Sequence, residues 1–301
     1  MQEVKNQNPE TGFRVFWEIS YLRSSDGTNL RYGVFKKKPN VNRWLVFLNG
    51  HSEFIERYDY LPKDLELDES VGFLTLDHRS HGLSEGKPAL HFEDYNKPAK
   101  DLQELIALVV GSSPYSIAAH SMGALISLYA HMSGYIKPEK MIFSAPFLGV
   151  CHPLPSSILK VIAKAAVKLG LSSKHFAQSL QTKRVFENNV YTHSAKKFFK
   201  RYQYPFYAEG VTCGWGLASF QAIDFVFQEE QIKKISAPIR ILLAEDERIV
   251  NNAEILRWGE KANQVMTTPI EWIHIPRSRH ELFAEAGSAY REVLRLTKEF
   301  I

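Results

Sequence analysis

Ser121, His280 and the carboxylates of Glu245-Asp246-Glu247 stand along the chain in an order that can support nucleophilic catalysis. A serine attacks only when a base lies within hydrogen-bond reach, a carboxylate orients that base, and backbone N–H groups face the oxygen that becomes negative. Ser121 sits in Ala119-His120-Ser121-Met122-Gly123, between an apolar run ending at Ala119 and an apolar helical pattern starting at Met122. A sharp strand-to-helix turn of this kind crowds the positions two residues to either side, which must therefore be small. Gly123 satisfies that demand and Ala119 exceeds it by one methyl. Ser121 serving only as the cap of the following helix is the competing explanation. His280 follows the last expected strand, and Glu247, with Asp246 as the alternative acid, follows the strand before it, so the order is serine, acid, histidine. The oxyanion donors are expected to be the backbone N–H groups of Met122 and His51; for Gly50-His51 a plain loop turn is the alternative.

These side chains need a scaffold that brings strand ends together. Residues 13–21 and 30–35 read as two strands joined by a Ser-Ser-Asp-Gly-Thr-Asn turn, an antiparallel hairpin. Residues 44–48, 72–76, 115–119, 141–144, 238–244 and 270–275 are short apolar runs of the fully buried kind. Helical patterns follow at 55–65, 95–110, 122–132, 253–261 and 281–300. Strand and helix alternating in this way predict an α/β fold with a mostly parallel, doubly wound sheet. The alternation stops after Ser144 and resumes at Pro238. Residues 1–146 and 235–301 are expected to form one core, and 147–234 a helical insertion, a cap or lid, rather than a second domain in tandem.

The chain has 301 residues, a 45% hydrophobic content and a formal charge of +4, values suited to a globular protein with a sizeable core. Cys151 and Cys213 are the only cysteines, which excludes a disulfide framework or a cysteine-rich metal site. The first nine residues lack the order of a signal peptide and no run has the length of a membrane span, so the expected location is cytoplasmic, with any membrane contact peripheral at the inner face. His78, His81, His91 and His120 lack metal-ligand spacing, and no glycine-rich phosphate loop follows the first strands, so neither metal nor cofactor is expected. Between Cys151 and Pro205 there are ten basic residues against one acid, Glu187, while the rest of the chain is net acidic. Such a segment suits an anionic lipid surface better than nucleic acid, and a merely solvated charged face is the alternative. Within it Ile158, Val161, Ile162, Ala165 and Leu169 share one helical face and Lys160, Lys164 and Lys168 another. That pattern fits either packing onto the core or contact with a lipid surface. The aromatics Phe198, Phe199, Tyr202, Tyr204, Phe206 and Tyr207 could line an acyl tunnel or anchor the insertion's own core.

With these residues in place, the sequence resembles the α/β-hydrolases of the lysophospholipase and monoacylglycerol-lipase group. The resemblance covers nearly the whole chain outside the insertion. Asn49-Gly50-His51-Ser52-Glu53 with Arg57-Tyr58 matches the group's H-G-x-x-E…R-Y stretch, with Asn49 in place of the usual histidine. Residues 77–86 match its D-x-x-x-H-G-x-S-x-G loop, the most specific single signal, and His280-Glu281-Leu282-Phe283 resembles its H-E-L-F ending. The group's acid is commonly an Asp directly before Arg; here Glu247 holds that place, with Asp246 beside it. The resemblance implies a serine hydrolase of lysophospholipids. The alternatives are a monoacylglycerol lipase or general carboxylesterase, and a catalytically silent lipid-binding relative.

Overall fold

The turn at Gly27, where φ is +88°, joins two antiparallel strands, β1 (Trp17–Arg23) and β2 (Asn29–Phe35). The structure, a computed structural model, describes residues 17–177 and 185–301; residues 13–16 of the expected first strand, and Lys183 and Arg184 of the basic segment, lie outside them. β3 (Arg43–Leu48), β4 (Val71–Leu76), β5 (Tyr115–His120) and β6 (Met141–Ser144) follow, and β3 to β6 are buried almost throughout. β9 (Ile239–Ala244) and β10 (Glu271–Ile275) come much later in the chain. The eight-stranded sheet has the order β1-β2-β4-β3-β5-β6-β9-β10, parallel from β4 to β10 and antiparallel at β1 and β2.

The order reverses at β3, because β4 lies on one side of it and β5 on the other. Connections leave β3 and β5 in opposite directions, which opens a crevice at their C-terminal ends, where such sheets bind ligands. Ser121 and the Asn49–Glu53 loop flank that crevice. Period-two side chains divide the core in two. Trp44, Val46 and Leu48 face the helices α2 (Asn96–Val109), α3 (Met122–Met132), α6 (Cys213–Val226) and α8 (Asn252–Asn263). Leu45 and Phe47 face α1 (Leu61–Asp64) and α9 (Gly287–Phe300).

Two expected helices are broken. Residues 55–65 form a 3-10 turn, Ile55–Tyr58, and then the single-turn α1, which opens with a proline in its first turn; Pro62 lacks an N–H and starts a helix more readily than it continues one. Residues 281–300 form a 3-10 turn, Leu282–Ala284, and then α9, which opens with Gly287 at φ +59°. The buried Glu285 causes the break, since its carboxylate collects the N–H groups of His193 (3.0 Å), Arg279 (2.7 Å) and Ala286 (3.0 Å) instead of facing solvent along a helix.

Among its described residues, the stretch between β6 and β9 adds no strand to the large sheet. It holds α4 (Ser156–Lys168), α5 (Ala195–Lys200), α6 and the short α7 (Glu229–Ile232). It also forms a two-stranded ribbon of β7 (His175–Ala177) and β8 (Val211–Thr212), too short to leave an alternation in the sequence. α4 packs against α6 and buries Leu159 and Ala163. Ile158, Val161, Ile162, Ala165 and Leu169 all face outward, with Val161 67% and Leu169 76% exposed. Lys164 and Lys168 are exposed beside them, while Lys160 pairs with Asp224 of α6. The apolar stripe is thus an outer surface. Most of the aromatic stretch anchors the segment between β6 and β9: Phe198 packs on Phe186, Phe199 and Tyr202, and Tyr204 and Phe206 pack on Phe54 at ring separations of 5.2 and 5.0 Å.

Candidate active site

β5 is buried along its whole length and leads into Ser121, whose backbone takes φ +49° and ψ −114°. A non-glycine residue with positive φ is strained, and such strain concentrates at functional turns. The turn is held from both sides: Ser121 N–H donates to Ser144 O (3.0 Å), and Ser121 O accepts from Phe147 N–H (3.1 Å) and Ala124 N–H (3.1 Å). The Ser121 side chain makes no capping bond to α3. The helix-cap explanation therefore does not describe it. Gly123 is required by contact, since a Cβ there would lie 2.5 Å from Leu48 O and 2.6 Å from Asn49 O. Ala119 is fully buried and its methyl is accommodated.

Glu247 and His280 leave the ends of β9 and β10, which are neighbours in the sheet. Glu247 Oε2 lies 2.9 Å from His280 Nδ1, and Oε1 accepts the N–H groups of Ile249 (2.8 Å) and Val250 (3.1 Å). A carboxylate at Nδ1 places the ring proton there and leaves Nε2 free as a base. Burial pushes the imidazolium of His280 down, but the charge and hydrogen bond of Glu247, with Glu281 and Glu53 behind, outweigh it and hold the pKa above the ordinary value. Burial raises the Glu247 carboxyl, and the same pairing with the two loop N–H groups carries it below the ordinary range. Asp246 turns away, to Arg248 at 2.7 Å and Arg279 at 3.7 Å, and stays 40% exposed. Ser121 and His280 are not hydrogen-bonded to each other in this arrangement. The ring of His120, next to Ser121, lies 4.7 Å from that of His280.

The loop after β3 faces Ser121 from the other side. Gly50 N–H donates to Glu53 Oε2 (2.5 Å), and Asn49 Nδ2 donates to Leu76 O (2.9 Å). Among the described residues, the N–H groups of His51 and Met122 meet no protein acceptor. The His51 imidazole is occupied: Nε2 donates to Gly210 O (2.9 Å), Nδ1 lies 3.3 Å from His81 Nε2, and the ring packs at a tilt against Trp215 at 4.1 Å. Residues 77–86 support this loop. Asp77 accepts from Ile55 N–H (2.8 Å), Leu83 N–H (2.9 Å) and Arg31 (3.1 Å), and His78 Nε2 donates to Asn49 O (3.1 Å). Gly82, at φ +53°, leaves room for that carboxylate, since a Cβ would sit 2.3 Å from Asp77 Oδ2. The most specific motif in the sequence is a clamp behind the site.

Beneath His280 lies a buried charge cluster that residue spacing alone did not reveal. Glu281 pairs with both Arg57 and Arg201, and Glu53 accepts from Tyr58 Oη (2.7 Å). Burial raises the Glu281 carboxyl, but Arg201 and Arg57 outweigh it and leave it low; Glu53 is raised by burial and by Glu281. The resemblance points to Glu53, Arg57 and Tyr58. Arg201 comes from the segment between β6 and β9 and had no signal. The same segment braces the histidine loop: Glu281 N–H donates to Tyr191 O (2.8 Å), and Thr192 Oγ1 to Ala284 O (2.6 Å). Lys197 Nζ sits over the rings of Tyr290 (3.1 Å) and Tyr60 (4.4 Å), and burial pushes its ammonium down to about 7. Among the described residues no His, Cys, Asp and Glu cluster could hold a metal ion.

A profile of the family described as "Serine aminopeptidase, S33" matches residues 39–287. The chain is 25% identical over 297 residues to a probable lysophospholipase L2 of Haemophilus influenzae, covering 93% of this chain and 91% of that protein. It is 28% identical over 149 residues to a monoacylglycerol lipase of Mycolicibacterium smegmatis, about half of each chain (48% and 51%). Among solved structures, a soluble variant of the monoglyceride lipase of Saccharomyces cerevisiae, in complex with a substrate analog, superposes with a TM-score of 0.74 at 18% identity, over 96% of this chain and 98% of that one. The monoacylglycerol lipase of Paleococcus ferrophilus superposes with a TM-score of 0.72 at 19% identity, over 90% and 97%. The parallel sheet, the strained serine turn and the matched profile lead to one conclusion: this chain is an α/β-hydrolase and belongs to the serine aminopeptidase S33 family.

Proposed function

We propose that the chain is a serine hydrolase that cleaves the acyl ester of lysophospholipids through Ser121, His280 and Glu247. The observation that carries this reading is the Glu247–His280 hydrogen bond, made at the ends of adjacent strands and in chain order behind the strained Ser121. Glu247 keeps the His280 proton on Nδ1. Nε2 then takes the Ser121 proton as Oγ bonds to the ester carbonyl carbon. The N–H groups of His51 and Met122 receive the oxyanion. His280 returns its proton to the leaving glycerol oxygen, the C–O bond breaks, and the acyl group stays on Ser121. A water, deprotonated by His280, attacks that ester, releases the fatty acid and restores the serine.

In this reading residues 1–146 and 235–301 are the catalytic core and 147–234 a cap. α4 supports a lipid substrate, since its outward apolar stripe suits acyl chains and Lys164 and Lys168 suit anionic headgroups. Contact of this kind is peripheral; among the described residues no helix is long and apolar enough to cross a membrane. The likeness to a probable lysophospholipase over most of both chains favours lysophospholipids. A monoacylglycerol is the second reading, favoured by the partial likeness to a monoacylglycerol lipase and by the same apolar stripe.

A fluorophosphonate probe should label Ser121, and Ser121→Ala should lose both the label and fatty-acid release. Faster release from a lysophospholipid than from a monoacylglycerol at matched concentration is expected. The opposite ranking transfers the reading to monoacylglycerols, and an unlabelled protein with no release leaves the silent lipid-binding relative.

A further inference from the structure

Trp215, in the first turn of α6, is 95% buried by its 5% exposure, yet its indole N–H has no acceptor among the described residues. Its ring meets two others: the imidazole of His51, 4.1 Å away and tilted by 34°, and Phe147, stacked at 5.7 Å and 5°. His51 follows β3 and Phe147 follows β6, and β5, which leads into Ser121, runs between those two strands. Strands stand about 4.8 Å apart, so the gap from β3 to β6 is about two such spacings. An indole that touches both sides spans the gap in which Ser121 sits, and the N–H of Phe147 is itself bonded to Ser121 O (3.1 Å).

A buried donor without a partner costs free energy, and native folds keep such groups where they have a use. Among the described residues Thr75 Oγ1, within β4, is likewise without a partner, while the unpartnered atoms of Asn49, Arg201, Asn252 and Arg279 belong to side chains whose other polar atoms are engaged. Indole has one polar atom and can only donate. The acyl chain of an ester offers it nothing, and the carbonyl oxygen is served by the two backbone N–H groups. The remaining oxygens of a lysophospholipid or monoacylglycerol are on the alcohol side.

We infer that Trp215 is a specificity-determining residue whose indole N–H binds an acceptor oxygen of the substrate's glycerol moiety, a hydroxyl or a phosphate oxygen, over Ser121. This rests on the ester-hydrolase reading above. The test replaces Trp215 with β-(3-benzothienyl)alanine, which keeps the ring stack and removes the N–H, and measures kcat/KM for three esters of one fatty acid: the methyl ester, the 1-acylglycerol and the 1-acylglycerophosphocholine. The expected result is a fall in the ratio of the glycerol ester to the methyl ester of about fivefold for a hydroxyl acceptor, or of the phosphocholine ester to the methyl ester of about tenfold or more for a phosphate acceptor. Unchanged ratios, or an equal fall for all three esters, would overturn the inference and make the indole a packing element. Failure of the unsubstituted protein to hydrolyse any of the three would instead overturn the ester-hydrolase reading, and this inference with it.

Discussion

Glu247 Oε2 stands 2.9 Å from His280 Nδ1, while Asp246, one residue earlier, points to Arg248 and Arg279. Two N–H groups fix the other oxygen of Glu247, so the longer side chain is held in one place. Glu247→Gln should lower kcat by about 10³- to 10⁴-fold, the scale of an amide replacing a triad acid. Asp246→Asn should change kcat by less than about threefold, because it alters only an exposed ion pair. Steady-state kinetics of the two variants decide the assignment, and a large loss confined to Asp246→Asn would reverse it.

In the proposed mechanism the raised pKa of His280 sets the pH dependence. A general base must be neutral, so kcat/KM should rise with pH along a limb whose midpoint lies above the ordinary histidine value of about 6.5. Glu247→Gln removes the main cause and should move that limb down. Stability runs the other way. A folded-state pKa above the unfolded one gives a contribution fully present below the unfolded pKa and lost as pH rises through the folded value. Urea titrations on either side of the limb should show it, and a kinetic midpoint below 6.5 would sink the prediction.

Strain at Ser121 should be measurable apart from catalysis. Glycine adopts φ +49° without penalty, whereas alanine carries the same Cβ as serine. Ser121→Gly should be inactive yet more stable than Ser121→Ala by about 1 kcal/mol, after the entropy cost of glycine is deducted. Equal urea midpoints for the two would mean that the turn is relaxed.

Gly123→Ala should destabilise the fold by about 1–3 kcal/mol, because the new methyl would press on the carbonyls of Leu48 and Asn49. It should also reduce activity, since those carbonyls begin the loop that carries the His51 N–H. Denaturation and turnover measured on one preparation test both halves together.

The outward face of α4 predicts salt-sensitive binding to anionic vesicles. Val161→Gln with Leu169→Gln should weaken it by removing apolar contact, and Lys164→Gln with Lys168→Gln by removing charge. Lys160 is the poorer target because it is paired with Asp224. Vesicle cosedimentation indifferent to salt and to both pairs would remove the surface role.

The buried strands were legible in the sequence because a parallel sheet covered on both faces needs uninterrupted apolar runs, as in Trp44–Leu48 and Tyr115–Ala119. The positions of Ser121, Glu247 and His280 followed from those runs, since each lies just past a strand end. Periodicity did not fix the orientation of α4. A stripe of Ile158, Val161, Ile162 and Leu169 has the same spacing whether it faces a core or a lipid, and packing through Leu159 and Ala163 decided it. The pairing of Arg201 with Glu281 was illegible, because an ion pair spanning 80 residues has no local signature. The break between Ala284 and Gly287 was hidden too, since a glutamate reads as helix until its burial is known.

The brace between residues 191–201 and the histidine loop bears on how this protein could be re-engineered. α4 itself packs mainly on α6, so its outer face can be exchanged for another surface without touching His280. A graft cut through residues 191–201 would take away Arg201 and leave Glu281 with Arg57 alone, a buried carboxylate short of one counter-charge beside His280, at a cost of about 3–5 kcal/mol. A chimera designed to change lipid preference should therefore place its downstream junction before Tyr191.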